Sequence, residues 1–277
     1  RRQRQMCIRD RPADNIEETA YFVSISLSDV FQNQNSKPIV FTTCMNPEDP
    51  MFDGTKNLLD SIRVACHDVK GDIPTVVVCM NGEIHAASRA QLTHTNKASA
   101  LASPGWGPVG YVDRDNVYFR CGALELDTGL NFPMLKKLTA KVPVVKAMCG
   151  DDGALLEMVL EKEPDAIIVE GFGRGNLPAG MMPAIKKAVK KGIFVVISTR
   201  ASSGRVLDST VFPGSVAQCL ESGCLLAGET TTAKARLLLM YVLSQKEAIQ
   251  LKKEDPERFF AYVQECLDPV LTNRLFG

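Results

Sequence analysis

Two runs of residues are equipped for chemistry. Gly171-Phe172-Gly173-Arg174-Gly175-Asn176-Leu177-Pro178 follows an apolar, β-branched stretch and precedes a helical pattern. A strand-to-helix connection of this kind aims backbone N–H groups and a helix N-terminus into a crevice at the carboxyl edge of a sheet, which suits a carboxylate or a phosphate. Ser198-Thr199-Arg200, with Gly204 four residues on, brings hydroxyls and a guanidinium to the next strand end. Each group alone is more often a cap or a surface partner than a ligand contact, but two adjacent strand ends together mark the crevice. The glycines do not make a dinucleotide fingerprint, because the third comes one residue early and no acidic residue follows a strand at the proper distance. A tight turn needing flexible backbone accounts for the glycines equally well and leaves Asn176 unexplained.

Metal and redox cofactor chemistry has little to draw on. The nine cysteines are odd in number, include no CxxC pair, and sit beside only three histidines, so no metal site and no cofactor is expected. Reduced, buried thiols are expected instead, and with them a reducing, cytoplasmic compartment. His85 and His94 read as loop hydrogen bonding rather than as a general base. Thirty-two basic residues balance 32 acidic ones, so the chain is no electrostatic magnet for nucleic acid or anionic lipid. No stretch approaches the roughly 20 apolar residues of a membrane helix. The partner left is a small molecule.

The elements that must position these groups are legible as periodicity. At 277 residues, 45% hydrophobic and 23% charged, the chain is a globular protein of one large or two modest domains. The spacing predicts a helix from Asn15 to about Phe31, with Asp14 as N-cap and Glu17 in the capping-box position. A strand from Ile39 to Cys44, a helix near 57–65 and a strand from Thr75 to Met80 then make a βαβ unit. Residues 81–112 read as irregular, around Ser103-Pro104-Gly105-Trp106-Gly107-Pro108. Strands at 142–145, 166–170 and 194–199 then alternate with helices at 154–163 and 183–190, and helices at 232–246 and 256–266 close the chain. The expected class is α/β, with two doubly wound parallel-sheet domains: 13–125, a linker at 126–140, and 141–277.

Residues 1–12, RRQRQMCIRDRP, differ in character, with five Arg and one Asp. They hold no apolar signal-peptide core. MCIRDR resembles a translated sequencing adapter, so 1–12 is expected to be a non-native tail and the N-terminal domain to be incomplete at its start.

Several motifs in order carry a resemblance. Met80-Asn81, THTNKASALASPGWGPVGYV from Thr93 to Val112, VEGFGRGNLP from Val169 to Pro178, STR with Gly204, and AKARLLL from Ala233 to Leu239 are similar to the bacterial-type asparaginase/glutaminase family. Asp53-Gly54 with Asn57-Leu58 resembles its DG..NL turn, and Asp14 to Tyr21 the helix after its Gly-Thr-Asp-Thr motif. The resemblance spans nearly the whole chain. It implies a two-domain homo-oligomer, a dimer or tetramer, that hydrolyses the side-chain amide of asparagine to aspartate and ammonia. In that family a threonine hydroxyl attacks the amide while a second Thr, an Asp and a Lys form a proton relay. Here Asp14 matches the aspartate, but Ala13 stands at the threonine position and Leu92 at the lysine position. A methyl cannot accept a proton and an isobutyl group cannot carry charge. The resemblance also implies substrate-binding roles for Asn176, Ser198, Arg200 and His94. Two readings stand: an amidohydrolase acting on asparagine or a related small amide, and a degenerate homologue that binds an amino acid or dicarboxylate without turnover.

Overall fold

The computed structural model describes residues 7–10, 12–28, 38–45, 53–67, 74, 76–120, 132–207 and 210–268. The chain divides into two compact units, Arg1–Met134 and Leu135–Gly277, a boundary that falls inside the expected linker.

Unit 1 runs β1 (Cys7–Asp10), α1 (Ile16–Ser26), β2 (Ile39–Thr42), α2 (Gly54–Cys66), β3 (Val76–Met80), β4 (Glu83–Ala86), β5 (Gln91–Leu92), β6 (Leu101–Ala102), β7 (Gly110–Asp113) and β8 (Asn116–Phe119). Its main sheet has the order β1-β2-β3-β4-β7-β8, while β5 and β6 form a separate ribbon. Pairing is parallel from β1 through β3 and antiparallel from β3 to β8. The parallel expectation therefore describes half of this sheet. Cys7–Asp10, in the segment expected to be a non-native tail, pairs in parallel with β2 at the edge of this sheet. The stretch expected to be irregular contains four short strands. Its first reversal is the two-residue loop Asn81-Gly82, with φ of 53° and 77°, the mirror-image turn whose twist suits a hairpin.

Alternation along β2 and β3 shows why the sheet is covered on both faces. Ile39, Phe41, Val76, Val78 and Met80 pack with Ile16 and Ala20 of α1. The intervening Val40, Val77 and Cys79 pack with Val64 and Ala65 of α2. Successive side chains of a strand point to opposite faces, so an uninterrupted apolar run such as 76–80 signals two covering layers. Asn57, fully buried in α2, ties the strand ends together. Its Nδ2 donates to the Thr43 carbonyl at 2.9 Å and its Oδ1 accepts from Asn81 N at 2.9 Å.

Unit 2 runs β9 (Val144–Lys146), α3 (Ala154–Leu160), β10 (Ala166–Gly171), α4 (Met182–Lys190), β11 (Phe194–Thr199), α5 (Val216–Glu221), β12 (Leu225–Leu226), α6 (Thr232–Leu243), α7 (Lys246–Glu254) and α8 (Pro256–Leu267). Its sheet is wholly parallel with strands in sequence order, β12-β11-β10-β9. Right-handed crossovers that all step one way place their helices on one face. Accordingly Leu156, Leu160, Ile185, Ala188, Val216 and Cys219 share one core with Ile167, Val169, Val195 and Ile197. Helix α6 lies against β10 and α8 against β12, covering the other face. No described helix is long and apolar enough to cross a membrane.

Two outcomes follow from unit 1. Asn57→Ala takes this partner from the buried Thr43 carbonyl and releases the Asn81 amide to water, and is expected to cost roughly 1–3 kcal/mol, read by denaturant unfolding. Burial pushes the Cys79 thiol from its ordinary 9.0 up to about 12, against a smaller opposing effect of its hydrogen bond with Ser61. Because the folded value is raised, this contribution is complete below about pH 9 and is lost as pH climbs towards 12. Cys79→Val should then gain on the native chain through that window, by at most about 1.4 kcal/mol per pH unit, in unfolding curves taken at successive pH values.

Candidate functional site

The residues of interest fall into one cluster in each unit. In unit 2, β10 and β11 pair with Gly171 opposite Thr199, which brings the two polar strand ends side by side. Residues 172–175 close as a turn, Gly175 N donating to the Phe172 carbonyl at 2.8 Å and Phe172 N to the Asn176 carbonyl at 2.9 Å. Gly175 has φ +92°, and a Cβ there would lie 2.7 Å from Val206 Cγ1; one on Gly171 would lie 2.5 Å from the Gly175 carbonyl. Packing and conformation thus require these two glycines. Gly173 differs, with no heavy atom within 4 Å of a Cβ position, so that side of the turn opens outward. The Thr199 hydroxyl is shared between the carbonyls of Phe172 at 2.9 Å and Gly173 at 2.8 Å, and accepts from Ala201 N at 3.0 Å. Arg200 stacks its guanidinium 5.0 Å from the Phe172 ring centroid and is exposed.

Asn176 and Ser198 face the fold instead. Asn176 Oδ1 accepts from Val216 N at 3.0 Å, satisfying the first amide of α5, and Ser215 accepts from Gln218 N as its N-cap. The helix that Asn176 serves is therefore α5 rather than the one that follows in sequence. Ser198 is fully buried, its Oγ 3.0 Å from Thr232 Oγ1 at the start of α6. Thr199, one residue on, organises the turn.

In unit 1, Asp14 lies in a 3-10 turn, Ala13–Asn15, and α1 starts at Ile16 with Asn15 as its flanking residue. The expected capping box is not formed. Asp14 is exposed, and its carboxylate makes no hydrogen bond or ion pair among the described residues. Glu17 reaches away from its own helix, accepting from Leu92 N at 2.8 Å. That bond sets β5 against the first turn of α1, the turn that follows Ala13–Asp14 in the chain. Sequence reasoning missed this bond, because a backbone amide 75 residues away leaves no local pattern.

His94 is exposed, with Nδ1 accepting from Asn96 N at 3.0 Å and Lys97 N at 3.2 Å. Two donors on Nδ1 leave Nε2 as the protonated nitrogen, so the ring offers a donor outward and not a base. His85 is buried, its Nδ1 2.9 Å from Ser103 Oγ and its Nε2 3.3 Å from Glu83 Oε2. Trp106 is exposed beneath Arg89, whose guanidinium lies 4.1 Å from the ring. Among the described residues no group of three or more His, Cys, Asp or Glu side chains is placed to hold a metal ion.

This arrangement has relatives. Residues 13–123 match the N-terminal asparaginase domain and residues 141–254 the glutaminase/asparaginase C-terminal domain. An L-asparaginase of Bacillus licheniformis is 30% identical over 242 residues, covering 86% of this chain and 71% of that protein. One component of a glutamyl-tRNA(Gln) amidotransferase, from Methanosarcina mazei, is 27% identical, covering 84% of this chain and 55% of that one. A crystal structure of a probable cytoplasmic L-asparaginase from Campylobacter jejuni superposes with a TM-score of 0.76 at 26% identity, covering 94% of this chain and 76% of that chain.

Since Asn176 completes the start of α5, Asn176→Ala should lower the stability of unit 2 by about 1 kcal/mol in thermal unfolding. An unchanged midpoint would mean that α5 is held without it.

Proposed function

Because the chain belongs to the asparaginase/glutaminase family, we propose that the protein hydrolyses the side-chain amide of asparagine, or of a related small amide, to the acid and ammonia. The observation that carries this reading is Asp14: an exposed carboxylate, not spent on capping, placed by α1 and by the Glu17–Leu92 bond. Such a group can receive the ammonium of an amino-acid substrate or hold a proton in the relay. At the other cluster, Arg200 and the outward side of the turn at Gly173 offer cationic and amide donors of the kind a carboxylate takes. His94 adds an Nε2–H donor suited to an amide oxygen. Within that second cluster Asn176 and Ser198 hold the framework, through α5 and α6 respectively.

The chemistry asks for a hydroxyl nucleophile whose proton is removed as it attacks, and for a donor to the leaving ammonia. With Ala13 and Leu92 in two relay positions, water or substrate must carry those protons. General acid–base groups are worth roughly 10²–10⁴ in rate, so slow turnover is expected. The same two residues favour a second reading, in which the pocket binds an amino acid or dicarboxylate and does not turn it over. The protein is proposed to work as a homo-oligomer, dimer or tetramer, without a cofactor. A cytoplasmic setting is supported by seven cysteines that are free thiols among the described residues, and by the likeness to the probable cytoplasmic Campylobacter protein.

Ammonia release by the full-length protein from asparagine, glutamine and simple amides tests this directly. Slow release with asparagine, raised about 10²–10⁴-fold in the double variant Ala13→Thr, Leu92→Lys, is the expected result. Calorimetric binding of aspartate or asparagine with no ammonia from either protein would move the protein to the second reading. Neither binding nor release would end both.

A further inference from the structure

Helix α5 has six residues and is held from outside at both ends. Asn176 and Ser215 secure its start. At its end Gly223, with φ +89°, donates to the Leu220 carbonyl at 2.8 Å, and Cys224 N donates to the Cys219 carbonyl at 3.0 Å. This nested pair of bonds is the Schellman motif, in which the residue two beyond the helix cap meets one in the last turn, commonly through an apolar contact. Here both are cysteines, each at most 1% exposed. The backbone bond from Cys224 N to the Cys219 carbonyl brings the two residues together, their thiols influence each other's pKa, and Cys219 Sγ lies 3.9 Å from Met182 Sδ.

We infer that Cys219 and Cys224 form a modification site, a thiol pair that closes to an intramolecular disulfide on reaction with a hydroperoxide. The Cys219 sulfur attacks one peroxide oxygen, and the O–O bond breaks. The Cys219 proton goes to the leaving oxygen, which departs as water or alcohol, and Cys219 becomes a sulfenic acid. The Cys224 sulfur then attacks that sulfur, the S–S bond forms, and the S–O bond breaks. The hydroxyl leaves as water with the Cys224 proton. The two thiols lose two hydrogens and two electrons in all, and the peroxide gains them.

The two thiols are unequal. The Cys224 side chain lowers the pKa of the Cys219 thiol, while Cys219 and burial raise that of Cys224 well above the ordinary thiol value. The thiolate is the nucleophile. Cys79 and Cys266 are each pushed up to about 12 by burial, and their hydrogen-bond partners are Ser61 and Tyr262 rather than a second thiol. Access is short. An open groove of about 350 Å³ between α4 and α5 is lined by Gln218, Glu221 and Ser222 of the same turn. It also carries Lys186 and Lys190, two cations against one carboxylate.

The test uses the whole folded protein, treated with hydrogen peroxide, alkylated and digested with trypsin. The peptide 206–234, between Arg205 and Lys234, holds Cys219 and Cys224 and no other cysteine. It should lose two hydrogens, resist alkylation, and recover after dithiothreitol, at least about tenfold faster than Cys79 or Cys266 is modified. Cys224→Ser removes the resolving thiol, so a dimedone adduct should accumulate at Cys219. Full alkylation of both cysteines while the exposed Cys66 and Cys149 oxidise would overturn the inference. So would equal rates at all buried thiols, or a Cys224→Ser protein that takes up no dimedone.

Discussion

The hydroxyl of Thr199 lies between two carbonyls of the neighbouring turn, and the geometry of the second unit's polar edge depends on it. A parallel pair of strands delivers its C-termini to one edge of the sheet, yet the loops leaving that edge are free to diverge. By bridging to Phe172 and Gly173 while accepting from Ala201, one side chain binds the two departures together. Gly175 can then turn left-handed against Val206, Asn176 can reach α5, and Arg200 can lie on the Phe172 ring. The first unit solves the same problem with an amide: Asn57 spans the ends of β2 and β3 with a donor and an acceptor. Both devices are buried or half-buried, where an unmet polar group is costly, so each holds its loops in one arrangement.

Much of this was legible in the residues. The apolar runs Val76–Met80, Ala166–Gly171 and Phe194–Thr199 announced strands covered on both faces, and the helices between them came with the right spacing. The six-residue helix α5 and the two-residue strands β12, β5 and β6 were harder, because they are too short to display a period. Asn81-Gly82 did carry a hairpin signal, and with it the antiparallel half of the first sheet could have been drawn.

The candidate site was readable in its residue types and less so in their orientation. Ser198 follows Val196 by two positions, so strand alternation turns it to the α6 face, where Thr232 meets it; Thr199 takes the opposite setting. Asp14 and Glu17 fit a capping box by type and interval. The chain instead makes a 3-10 turn first and starts the helix one residue late, which leaves Asp14 in solvent and Glu17 free to cross to Leu92. Local pattern cannot weigh a bond to a distant strand against a cap of comparable strength.

The Glu17 contact has a bearing on the history of the fold. It grips the main chain at position 92 and is indifferent to the side chain that grows there. The scaffold therefore holds the main chain at that position whatever side chain occupies it. A site held this way can drift out of one chemistry and into another while its frame stays intact, and the way back runs through a few codons rather than through refolding.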